Sequence, residues 1–185
     1  MLALAGLMVG CGPQPGAQYL PTLRNTLSAI DSAETIFHAA PLGSAESAYA
    51  KADSAMRAVE DRMVGLVVNP QQGRPFTTLD ERRRMLRRQP GRHRRIEQEI
   101  ERTRTQIGHL IEAIVDRAKI DAEGTVIDAA YLEQAVEDEM RIASHLLEEL
   151  DIALDFLARG TRNLDEVIAR ADSASRALAT IPGQP

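Results

Sequence analysis

Aromatic side chains are scarce, at 3% of 185 residues, and tryptophan is absent. A core must therefore be assembled from Leu, Ile, Val, Ala and Met. The β-branched and aromatic runs that favour strands are missing outside the stretch VGLVV at 64–68. Cysteine occurs once, as Cys11, which excludes an intrachain disulfide framework and a cysteine-rich metal knuckle. Lysine is confined to Lys51 and Lys119, so cationic chemistry falls to arginine. There is no glycine-rich phosphate loop, no Gly-x-Ser-x-Gly nucleophile elbow and no haem-attachment motif. No catalytic residue and no cofactor are expected, and the chain reads as a non-enzyme.

What remains is helical. Hydrophobic residues make up 44% of the chain, an ordinary globular share. The centre of the pattern is a long helical hairpin over about 92–159. Its first arm carries Ile96, Ile100, Ile107, Leu110, Ile111, Ile114 and Val115, and its second Leu132, Val136, Met140, Ala143, Leu147, Leu150, Leu154 and Leu157. From Val136 onward the steps alternate four and three, which holds one face of a helix toward a partner. The turn is expected at 121–125 (DAEGT), with Asp128 capping the second arm and Gly160 closing it.

Earlier helices are expected from Pro21 to before Pro41, and from an N-cap at Ser44 to Leu66. The two prolines and one glycine of 69–75 read as a break. Thr78 and Glu81 read as a capping box opening a short helix, which Pro90-Gly91 ends. Asn163 with Glu166 caps a last helix. The expected fold is all-α: an up-and-down bundle of four to five helices, as a single domain over 20–181 with a disordered tail at 182–185. One internal echo is present, because Lys51-Ala-Asp-Ser-Ala-Met-Arg-Ala-Val59 resembles Arg170-Ala-Asp-Ser-Ala-Ser-Arg-Ala-Leu178. It is compatible with a duplicated helix pair or with chance in Ala-rich amphipathic helices.

The apolar run 1–10 is about half the length needed to cross a bilayer, and Cys11 follows it at once. Leu7-Met8-Val9-Gly10-Cys11 resembles the lipobox of bacterial lipoproteins. The resemblance implies that 1–10 is a signal segment and that Cys11 becomes the lipidated N-terminus. Gly12 to Gln18 (GPQPGAQ) offer nothing to bury, so 11–19 read as a Pro/Gly tether, the spacer such lipoproteins have, and the resemblance implies a place in the cell envelope. Gly12 after the cysteine implies, in a host with two membranes, the outer membrane facing the periplasm.

Charge is divided along the chain, whose net charge is -5. Residues 74–104 hold eleven arginines against five acids, whereas 121–166 hold thirteen acids against three arginines. The cluster Arg82, Arg83, Arg84, Arg87, Arg88, Arg92, Arg94 and Arg95 is the leading candidate surface. It suits an anionic lipid, a wall polymer or an acidic protein face, or else internal pairing with the acidic arm. Nucleic acid is disfavoured, since no aromatic residues interleave the arginines. The resulting expectation is an envelope lipoprotein acting as a structural or adaptor component, with a protein partner or self-association through its amphipathic helices. The alternative is a helical metal or small-ligand binder using His109, Glu112, His145 and Glu148, paired at helical i, i+3 spacing. With the turn near Gly124, His109 should lie level with Glu139 rather than His145.

Overall fold

A computed structural model describes residues 14–180. Cys11, the signal segment 1–10 and the tail 182–185 lie outside the described residues. Among the described residues six α-helices follow a short 3-10 turn: α1 Leu20–Ala39, α2 Leu42–Met63, α3 Pro70–Arg87, α4 Gln89–Val115, α5 Ala129–Thr161 and α6 Leu164–Ala179. The all-α bundle and its long hairpin, α4 and α5, are as expected. Among the described residues the only β feature is an isolated bridge between Ile120 and Val126. No described helix is long and apolar enough to cross a membrane.

The helices share a repeat close to three and a half residues. Along α4 the buried positions are Gln89, His93, Ile96, Ile100, Thr103, Ile107, Leu110 and Ile114, with steps of four and three throughout. Along α5 they include Leu132, Val136, Ala143, Leu146, Leu150, Ala153 and Leu157. Such a repeat keeps one seam facing inward, as in coiled coils. Val115, read as part of the stripe, falls off the seam and is 49% exposed.

The chain forms two compact units. One comprises residues up to Asp31 with Glu101–His145, the other Ser32–Ile100 with the residues from Leu146 onward. In the first, the segment expected to be a plain tether is packed from Gln14 onward. The Gln14 side-chain amide donates to the carbonyl of Ile114, and the Tyr19 N–H donates to Gly16. Gly16 is buried with φ +80, and a Cβ there would sit 2.8 Å from Leu132, so glycine is required twice over. Thr26, buried on α1, donates to the Thr22 carbonyl at 3.0 Å and meets the Met140 sulfur at 3.3 Å. The hairpin turn is where the spacing put it. Asp121 accepts from the N–H groups of Glu123 (2.9 Å) and Thr125 (2.8 Å) and from the Tyr131 hydroxyl (3.2 Å). The Thr125 bond leads in holding its carboxyl below the usual range, against an opposing push from burial. Asp128 caps α5 through the Tyr131 N–H at 2.8 Å.

In the second unit α2, α3 and α6 pack on one another. Ala45, Ala52 and Val59, seven residues apart, face Leu79 and Leu86 of α3, Leu157 of α5, and Leu164 and Ala171 of α6. The two alanines let the backbones approach closely. Lys51 pairs with Asp165 at 2.7 Å, and Arg62 further along α2 pairs with Asp172 further along α6, so these helices run in the same direction. The sequence echo occupies matching positions. Ala52 and Val59 are buried as Ala171 and Leu178 are, and Asp53–Arg57 pairs (2.7 Å) as Asp172–Arg176 does (2.9 Å).

Six expected boundary features are corrected. The break at 69–75 is instead the start of α3: Asn69 and Gln72 cap each other reciprocally, and Pro70 occupies the first turn, where its missing N–H costs nothing. Pro75 is tolerated inside that helix, and the Thr78 hydroxyl bonds the Arg74 carbonyl at 3.0 Å instead of opening a helix. Ser44 lies within α2 and donates to the Pro41 carbonyl at 2.7 Å, so it does not cap. Pro90-Gly91 lies inside the first turn of α4. Gly160 lies inside α5 against Leu86, and Asn163 takes the left-handed position (φ 51) with no side-chain cap bond.

Candidate functional site

The arginine cluster is set out by the joint between α3 and α4, where Arg88 is the only residue between the helices. Pro90 has no N–H to give the Leu86 carbonyl, which takes the Arg88 N–H instead, and the ladder resumes with Arg92 N–H to Arg88 at 3.1 Å. The charge of 82–88 is thereby carried around a corner and continued on α4.

Half of the cluster is committed to the fold. Arg82 donates to the carbonyl of Arg159, capping the last turn of α5. Arg83 meets Asp80 at 2.7 Å, Asp53 at 3.5 Å and Glu60 at 3.9 Å. Its pKa is raised, chiefly by the Asp80 hydrogen bond, against an opposing push from burial. Arg84 holds the other Asp80 oxygen at 3.0 Å. Arg92 lies over the Phe156 ring, 4.6 Å from its centroid. In place of the acidic arm, the ion pairs of the cluster use acids of α2 and α3.

The other half faces outward. Arg87, Arg88, Arg94 and Arg95 are exposed and make no ion pair among the described residues. Arg88 borders an open cleft of about 410 Å³ with Glu81, Arg84, Met85, Phe156 and Arg159. Met85 and Phe156 give it an apolar wall; of its three guanidinium groups, Arg84 is held by Asp80 at 3.0 Å and Arg159 by Asp155 at 3.3 Å, which leaves Arg88 as the cation open to an incoming group. That arrangement suits an anion with an apolar body.

Compared with protein-family models, with curated proteins and with solved structures, the chain matches none. The site is therefore read from its own chemistry.

Beneath the corner sit two residues that the apolar stripe concealed. Gln89 is wholly buried with neither side-chain polar atom hydrogen-bonded, and His93 is 4% exposed with Nε2 unpartnered. The imidazole stacks on Phe37 at 4.2 Å between centroids. Burial pushes the His93 pKa down; Glu97 opposes this and His38 reinforces it. The unfolded chain then binds a proton more readily between about pH 6.5 and the depressed native value, so stability is complete above that window and falls as pH drops through it. His93→Phe is expected to flatten the decline in urea midpoint between about pH 7.5 and 5.5; an unchanged slope would refute this.

The histidine pairs do not assemble. His109, Glu112, His145 and Glu148 are all exposed, and no group of three or more His, Cys, Asp or Glu among the described residues could hold a metal ion. His109 and Glu112 do share a cleft of about 600 Å³ with Glu139, as the register of the hairpin required, and His145 does not line it.

Proposed function

We propose that the protein is a non-enzymatic envelope lipoprotein, anchored through Cys11, that holds an anionic partner on its arginine corner. The observation that carries the reading is the set of four exposed arginines, Arg87, Arg88, Arg94 and Arg95, with no ion pair among the described residues, of which Arg88 borders a cleft that Met85 and Phe156 line. Arginines committed to the fold hold the corner in shape, and the outward ones are free to trade counterions for a partner's phosphates or carboxylates. The anchor rests on the lipobox resemblance at 7–11. Tethering confines the domain to a membrane surface, where anionic head groups and acidic protein faces are concentrated.

One experiment tests both halves. Cys11→Ala releases the protein from the high-salt-washed membrane fraction of its host, where the electrostatic contact is screened, whereas continued association after that wash sinks the lipid anchor. The released form, mixed with phosphatidylglycerol vesicles at low salt, binds them. Glutamine at Arg87, Arg88, Arg94 and Arg95 then weakens binding by about three orders of magnitude, from about 1 kcal/mol per charge near an anionic surface. Equal binding by both forms would exclude the corner as the contact.

A further inference from the structure

The connection between α4 and α5 has the chemistry that the arginine cleft calls for. Ile120 and Val126 are bridged side by side and are 60% and 65% exposed, two of the few large hydrophobic residues left in solvent. Between them lies Glu123, exposed, at the tip of a turn that Asp121 fastens through two backbone N–H groups and the Tyr131 hydroxyl. Asp116 and Glu112 extend the negative charge along the same end of α4. Arg117 and Lys119 are exposed at the base of the connection, but the only charged residues at the tip between Ile120 and Val126 are acids, so it is a pre-organised acidic tip with two apolar flanks, and docking it costs little ordering entropy. The cleft of Glu81, Arg84, Met85, Arg88, Phe156 and Arg159 offers the converse: an apolar wall from Met85 and Phe156 beside the Arg88 guanidinium, which stays open while Arg84 and Arg159 are held by Asp80 and Asp155.

From this complementarity of charge and apolar surface we infer that the arginine cleft of one copy takes the 120–126 turn of a second copy. The inference rests on the reading that the corner holds an anionic partner, and it names that partner. Glu123 lies against Arg88 and its neighbours, while Ile120 and Val126 cover Met85 and Phe156. The contact is heterologous, joining different surfaces on the two copies. Its association is steered by charge and weakened by salt.

The test uses sedimentation velocity on the full chain carrying Cys11→Ala, over a wide range of concentration and at low and high salt. Self-association at low salt that declines at high salt is expected. Arg88→Glu and Glu123→Arg, both at exposed positions, should each weaken it at least about tenfold without shifting the thermal melt. The two variants mixed together, or both changes in one chain, should restore it, since native turn meets native corner in the mixture and reversed meets reversed in the double variant. A chain that stays monomeric at every concentration overturns the inference, as does association that neither reversal alters. If the monomeric protein nevertheless binds phosphatidylglycerol vesicles and Arg88→Glu abolishes that binding, the partner is the membrane: the self-association falls while the anionic-partner reading stands.

Discussion

Replacing Phe37 with alanine is expected to cost about 3–5 kcal/mol of stability, read as a lowered urea midpoint with little change in slope. The ring is 1% exposed at the end of the buried series Leu23, Thr26, Ile30 and Phe37 on α1. Its face covers the His93 imidazole, and its edge reaches His38, 6.1 Å between centroids. In a core almost without aromatics no other large side chain stands ready to fill the space. The loss is compounded because the gap opens onto a polar neighbour whose Nε2 already lacks a partner. Phe37→Leu, which refills most of the volume, should lose far less. A cost below about 1 kcal/mol for the alanine variant would mean that the ring is not packed as described.

The second large effect is expected at Gly160. A Cβ there would lie 2.9 Å from Leu86 Cδ2, 3.0 Å from its Cγ and 3.7 Å from Met85 Cβ. Leu86 is itself 1% exposed and has nowhere to retreat. Alanine at 160 would recover about 1 kcal/mol of helix propensity and lose it to the clash. Valine adds two further methyl groups and should lower stability by about 3 kcal/mol, the upper end of ordinary overpacking. Gly160→Val combined with Leu86→Ala should recover much of that loss, because the truncated leucine vacates the space the valine needs. Strictly additive losses would show that the two positions do not touch.

The hairpin was legible because its seam repeats: Ile96, Ile100, Ile107, Leu110 and Ile114 on one arm and the Leu and Val positions of the other leave only helices as an answer. The same seam hid Gln89, His93 and Thr103, polar residues buried at positions where the pattern expects an apolar one. Extending the alternation of four and three through them would have found them. Prolines and glycines misled where only context decides. Pro70 and Pro90 sit in first turns that need no N–H, and Gly160 is present for closeness instead of for a left-handed turn. The arginine cluster was visible as composition, and the Asp80 pairs of Arg83 and Arg84 follow local helical spacing, but the rest of its division depends on distant partners: Asp53 and Glu60 for Arg83, the Arg159 carbonyl for Arg82 and Phe156 for Arg92. No local spacing reports a pairing of that range.

Only one residue separates α3 from α4, and its backbone neighbourhood is interior on both sides, with Leu86 two residues before it and Gln89 directly after. Whatever grips the Arg88 guanidinium therefore pulls on a short backbone segment fixed to the core, with no slack loop in between to absorb the movement. The corner behaves as a bracket fastened to the frame, so a force applied there is passed into the helices themselves.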